Sequence, residues 1–280
     1  MSSNRPPHHR RPPAAGPARP RPDHARREAA RARAERNASR DACADDIVVL
    51  YGWRPVIEAI ANPRRVFRRL LATENALRRL AAEGLQPPVA PETARPEQIE
   101  RLVGPDAVHQ GLYAEAEPLP GPTLESMPQH GVFLVLDQIT DPHNVGAIVR
   151  TAAAFGVSAV ITTARHSPAA TGVLAKSASG GLEHVPLVTV RNLAGALQTM
   201  AERGVQCIGL DSAGPAPLEE IPMRRPLALV LGAEGKGLRQ LTRARCQHLA
   251  RLDMPGAIRS LNVSNAAAIS LYAVSRLCPA

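Results

Sequence analysis

From Gly131 to the C terminus, short apolar runs alternate with helix-patterned stretches, and this alternation limits the fold more than any other feature of the chain. Strand-like runs fall at 132–137, 158–162, 185–190, 205–210, 227–231 and 249–253. Helical patterns fall near 144–155, 170–178, 192–203, 237–246 and 262–277. Strands separated by helices read as a parallel sheet covered on both faces, an α/β architecture. Ligands of such sheets bind beyond the carboxyl ends of the strands.

Three of the strand-to-helix connections carry unusual polar content. In the first, the apolar run ends at Asp137, a loop carries Asp141-Pro142-His143-Asn144, and the helical pattern begins at Val145. Asn144 is expected to cap that helix, because its oxygen can accept one of the unpaired N–H groups of the first turn. His143, just ahead of it, is either solvated or a candidate proton relay. On the same helix Arg150 lies about 140° around from Val145, at about 100° per residue. Its neighbours on that face, Ala147, Thr151 and Ala154, are small, so another chain or a nucleotide can approach. Spacing alone reads Arg150 as a solvated surface arginine.

The second connection, after 227–231, runs through Gly232-Ala-Glu-Gly-Lys-Gly237, with Glu234 as its one carboxylate. It is neither a GxGxxG in a first βα turn nor a phosphate loop, so dehydrogenase and nucleotide-hydrolase readings lack support. The third follows Leu249–Met254 and the Pro255-Gly256 turn, and opens the last helix with Ser260–Ala268, SLNVSNAAA. A serine and two asparagines before an alanine run are good N-terminal caps and poor helix interior.

In this order the three blocks resemble the three motifs of the SpoU (TrmH) family of RNA ribose 2′-O-methyltransferases, over roughly residues 47–277. The likeness is greatest to the branch that methylates a guanosine of 23S ribosomal RNA. The resemblance implies a SPOUT-type methyltransferase domain with a trefoil knot in its last third. The 232–237 and 253–262 loops would then form the pocket for S-adenosyl-L-methionine. Arg150 falls on the family's catalytic arginine, Asn144 on a residue contacting RNA or the reacting ribose, and Glu234 on the acidic residue of the second motif. Ser260 and Asn262 fall on the Ser and Asn of the third. Cofactor contacts are expected from the backbone at Gly232, Leu252 and Leu261, with Met254 and Ile258 enclosing the adenosyl group. The family also implies a homodimer in which the arginine of one subunit serves the pocket formed with its partner. Asn265, where an apolar residue is usual, and Met254-Pro255-Gly256 depart from the family pattern. A transfer-RNA ribose methylase, an antibiotic-resistance methylase of ribosomal RNA and a noncatalytic RNA-binding relative remain open.

Ahead of this region, residues 46–118 read as a small α/β domain. It has strands at 47–51 and 66–72, helices to Ala61, over 74–83 and over 96–103, and a closing strand at 108–116. In the relatives this position holds a domain that grips RNA. Residues 119–130, rich in proline, are the linker, and 131–280 the methyltransferase domain. Residues 1–45 are rich in Arg, Pro and Ala and are expected to be disordered, because that composition cannot bury a core. The chain's net charge is +9, and residues 1–40, with eleven arginines against three acids, supply +8 of it. Such a tail suits contact with phosphates. At 2% aromatic residues the chain cannot build a base-stacking platform, so RNA recognition is expected to rest on shape, phosphates and one docked nucleotide. Four scattered cysteines argue against a zinc site or disulfides and suit a reducing cytosol. No run approaches the roughly 20 apolar residues a membrane span needs.

Overall fold

Punctuation by glycine, proline and capping residues divides the first half into a small four-stranded sheet. The computed structural model describes residues 47–164 and 172–279, so the expectation about 1–45 lies outside the described residues. In chain order come β1 (Val48–Tyr51), α1 (Trp53–Ala61), β2 (Phe67–Ala72), α2 (Glu74–Ala82), β3 (Glu92–Thr93), α3 (Pro96–Val103) and β4 (Leu112–Ala116). Thr73 caps α2 by accepting from the Ala76 N–H at 3.4 Å. Pro96 opens α3, where its missing N–H costs nothing. The strands order as β1-β4-β2-β3, with β4 antiparallel to β1 and β2. Val56 of α1 is fully buried against Leu50, Leu70 and Leu112 of the sheet, in one core cluster. The closing strand begins at Leu112 rather than Val108. Gln110 and Gly111 hold left-handed backbone angles, φ 52° and 79°, which end an extended run.

The second sheet is built from β5 (Val132–Asp137), β6 (Ala159–Thr163), β7 (Leu187–Val190), β8 (Gln206–Leu210), β9 (Ala216–Pro217), β10 (Leu227–Gly232) and β11 (His248–Arg251). Its order is β7-β6-β5-β10-β8-β11-β9, and every pairing is parallel. Helices α4 (Pro142–Ala154), α5 (Gly172–Ala178), α6 (Leu193–Glu202), α7 (Gln240–Ala244) and α8 (Val263–Leu277) cover it. Alternate side chains of β5 enter opposite cores. Leu134 and Leu136 pack in the cluster that holds Ile148 of α4 and Leu271 of α8. Phe133 and Val135 pack in the cluster with Leu193 and Leu197 of α6. This is the expected α/β parallel sheet with an N-terminal domain ahead of it.

Two local expectations change, and a third holds. The first-loop helix begins at Pro142, and its cap is Asp141, whose carboxylate accepts from the His143 N–H at 3.0 Å. Asn144 therefore sits inside the first turn and does not cap it, since proline at the first helical position and aspartate before it suit the start better. The helix expected over 237–246 shrinks to Gln240–Ala244, because Gly237 turns back to donate its N–H to Ala233 O at 2.8 Å. The last helix is capped by Asn262, which accepts from the Ser264 N–H at 2.8 Å.

The order of strands carries one further fact. β11 lies between β8 and β9, although β8 and β9 follow each other in sequence. The connection between them crosses β11: Asp211 N–H donates to Ala250 O at 2.9 Å, and Arg251 Nη1 donates to Gly214 O at 3.1 Å. A side chain at Gly214 would lie 2.6 Å from the Ala250 carbonyl carbon, so backbone touches backbone there.

Candidate active site

Parallel pairing of β5 with β10 sets Gly232 opposite Asp137, so the first and second polar loops leave the sheet side by side. Asp137 is fully buried. Its oxygens accept from the Arg239 backbone N–H at 3.0 Å and from Arg239 Nε at 2.6 Å. That charge-assisted pair ties the end of β5 to the start of α7 and fixes the floor between the two loops. Above it opens a cleft of about 520 Å³, lined by Gln138, Asp141, Asn144, Glu234 and Lys236, with Val263 of α8 at its side.

The third loop reaches the same place through one hydrogen bond. Asn262 Nδ2 donates to Asn144 Oδ1 at 2.9 Å. The Asn262 oxygen is held by the Ser264 N–H and by Ser264 Oγ at 2.6 Å, which fixes the orientation of its amide. Asn144 is left with its own amide N–H groups directed to no partner among the described residues. Glu234 and Lys236 are exposed on the lip. Gln138 is a non-glycine residue at φ 60°, a conformation of the kind that clusters at functional sites.

Arg150 does not line this cleft. It lies six residues beyond Asn144, about 9 Å along α4 and about 120° around it. Its side chain is exposed, and the 3₁₀ turn Gly181–Glu183 passes directly over its backbone. Ser260 is exposed. None of the residues expected to hold the cofactor is among those that line the cleft. Gly232 starts the second loop, while Leu252, Met254 and Leu261 are half-buried in the third. Ile258 is 77% exposed and encloses nothing within this single chain. Gly232 packs so closely that a Cβ would meet the Gly237 carbonyl carbon at 2.2 Å, so the second loop is a tight backbone cradle.

Gln138 and the Asp137–Arg239 pair were not singled out as site residues by the sequence. A charged residue closing a buried strand is a usable signal for Asp137; a left-handed glutamine has none. Burial pushes the Cys207 and Cys246 thiols up to about 12, which leaves them protonated and unreactive. Among the described residues no three His, Cys, Asp or Glu side chains are grouped to hold a metal ion. No described helix is long and apolar enough to cross a membrane. A larger hollow of about 830 Å³ lies between residues 118–125 and β7, away from all three loops.

Comparison with known proteins identifies the family. Residues 131–272 match the SpoU rRNA Methylase family, and residues 49–122 match the RNA 2′-O ribose methyltransferase substrate binding family. The 23S rRNA (guanosine-2′-O-)-methyltransferase RlmB of Pseudomonas aeruginosa is 41% identical over 178 residues, 61% of this chain and 72% of that protein. An uncharacterized tRNA/rRNA methyltransferase of Mycolicibacterium paratuberculosis is 33% identical over 276 residues, 93% of this chain and 86% of that protein. The SpoU methyltransferase AviRb from Streptomyces viridochromogenes, solved in complex with AdoMet, has a TM-score of 0.70 at 24% identity. That likeness covers 82% of this chain and 90% of AviRb and concerns the fold. With both family matches and a relative 33% identical over 93% of its length, this chain belongs to the SpoU rRNA methylase family.

Proposed function

We propose that this protein transfers a methyl group from S-adenosyl-L-methionine to the ribose 2′-hydroxyl of a guanosine in 23S ribosomal RNA. The observation that carries the reading is convergence: Asn144 and Glu234 line one cleft, and Asn262 of the third loop is hydrogen-bonded to Asn144. RlmB relatives at about 40% identity support the choice of substrate.

The loops suit the methyl donor. The 232–237 turn is backbone packed on backbone, and a Cβ on Gly235 would meet nothing within 4 Å, so the outer side of the turn can receive a ligand closely. Leu252, Met254 and Leu261 are half-buried apolar residues of the third loop, and with Gly232 and Ile258 they make up the expected cofactor set. S-adenosyl-L-methionine supplies, when bound, a methyl group on a sulfonium that is open to in-line displacement. The protein must then align the hydroxyl and take up or polarise its proton, because a free hydroxyl is a weak nucleophile.

Asn144 orients the ribose through its amide N–H groups while Asn262 holds its oxygen. Glu234 receives a donor of the nucleotide or organises the second loop, and Ser260 contacts the ligand from the third. Arg150, as a guanidinium cation, binds a phosphate and stabilises the developing alkoxide, while the hydroxyl proton leaves to a neighbouring group or an RNA phosphate. Its position away from its own cleft supports a homodimer in which a second copy brings Arg150 to the site. Ile269 and Tyr272, 46% and 60% exposed on α8, offer an apolar face for that pairing. The β8–β9 connection crossing over β11 supports a trefoil-knotted backbone here. In this reading 46–118 grips the RNA by shape, 119–130 links it to the methyltransferase domain 131–280, the basic segment 1–45 adds phosphate contact, and the enzyme works in the cytoplasm.

Mapping ribose methylation in RNA from cells lacking the protein tests the reading. One unmethylated guanosine in 23S rRNA, restored by the purified protein and S-adenosyl-L-methionine, is expected. An unchanged rRNA map, or a mark lost from transfer RNA instead, overturns it.

A further inference from the structure

We propose that Glu183 is a positioning residue that couples the RNA-gripping domain to Arg150. The inference rests on the reading of Arg150 as catalytic and adds to it the element that sets the arginine's place. The Glu183 and Arg65 side chains are each 2% exposed, and Arg65 Nη2 donates to Glu183 Oε1 at 2.6 Å. Arg65 Nε and Asn62 Nδ2 both donate to the other oxygen, at 3.2 and 2.8 Å. The remaining arm of the fork, Arg65 Nη1, donates to Glu117 O at 2.7 Å, where β4 gives way to the linker. One carboxylate thus joins the α1–β2 loop, the end of β4 and the 3₁₀ turn of the large domain.

A buried ion pair is a poor device for stability alone, since apolar residues of similar size often serve as well. What the two-armed fork adds is direction: planar, bidentate contacts do not slide as apolar surfaces do. The other side of the same turn rests on α4. A Cβ on Gly181 would lie 3.0 Å from Val149 O and 3.1 Å from Arg150 Cα, so the turn bears on the helix backbone at the arginine itself. His184 adds a contact to Glu58 of α1 at 3.0 Å, which closes the turn between the two helices. Any shift of the small domain is therefore passed through the buried Arg65–Glu183 fork to the turn, and from the turn to Arg150 backbone against backbone. Displacements of about 1 Å at a catalytic group cost up to roughly 100-fold in rate.

The test uses the full-length protein, S-adenosyl-L-methionine, and 23S rRNA taken from cells lacking the protein. In Glu183→Gln, hydrogen exchange of amides 149–152 is expected to speed up about tenfold and kcat to fall about tenfold or more. Affinity for S-adenosyl-L-methionine should stay within about twofold, because the second and third loops are untouched. Arg65→Lys, which keeps the charge and loses the fork, should give the same pattern with a smaller loss. Unchanged exchange at 149–152 or unchanged kcat in either folded variant overturns the proposal. So does a kcat loss matched by equal loss of cofactor affinity, the mark of general unfolding. Arg150→Ala, run in parallel, should bind cofactor normally and lose methyl transfer. If it stays active, the reading of Arg150 fails, while the exchange rates still decide whether the coupling exists.

Discussion

Glu183 and Glu234 are both glutamates in short turns of the large domain, and they live in opposite circumstances. Glu183 is buried with three donors on its two oxygens. Glu234 stands exposed at the lip of the cleft and, among the described residues, has no hydrogen-bonded or ionic partner. The joint between the domains is closed and its charges are answered within the chain. The cleft is open, polar and incompletely paired. Polar groups left unanswered beside a cavity are the natural place for a ligand to complete the bonding, whereas a satisfied buried pair holds geometry.

The sharpest test of that contrast compares alanine at each position. Glu183→Ala strands a buried arginine and should lower unfolding free energy by about 3–5 kcal/mol in urea titrations. Glu234→Ala should change it by no more than about 0.5 kcal/mol while slowing methyl transfer roughly 100-fold. Equal stability losses would erase the distinction. Behind both regions, burial holds the Cys207 and Cys246 thiols at about 12 against an ordinary 9.0. The unfolded chain releases these protons near pH 9 and the folded one retains them. Their contribution is therefore complete below pH 9 and declines as pH rises toward 12. Melting temperature recorded from pH 8 to 11 should drop along that window, and Cys207→Ala with Cys246→Ala should flatten the drop. Asn262 belongs to both worlds, capping α8 and holding Asn144. Asn262→Ala should cost about 1 kcal/mol of stability, and Asn262→Asp should recover the cap without recovering turnover. Removing residues 1–45 should have the smallest effect: an unaltered cooperative melt and a modest loss of RNA affinity that fades as salt is raised.

Much of this molecule was legible from residue order. The alternation after Gly131 placed every long strand of the large sheet within two or three residues, because buried parallel strands are continuous apolar runs that few other structures produce. Asn262 could be read as a cap for the same local reason. Asn144 could not, since Asp141-Pro142 competes for the same helix start and only geometry decides between them. The two-residue strands β3 and β9 have no period to detect. The joint was hidden more deeply: Arg65 and Glu183 are 118 positions apart, and nothing in a chain so rich in arginine marks Arg65 as the buried one. Arg150 was visible by resemblance, yet its turn away from its own cleft emerges only when α4 is seen in space.

The scarcity of lysine gives this architecture a built-in pair of reporters. Lys176 sits at the joint, 3.4 Å from Gln110 Oε1, with burial drawing its ammonium below the ordinary lysine range. Lys236 stands on the cleft lip. No other lysine occurs in the sequence. Reductive ¹³C-methylation would therefore write two side-chain signals into an NMR spectrum, one for the joint between the domains and one for the lip of the cleft. An RNA titration could then be followed at both places in a single tube.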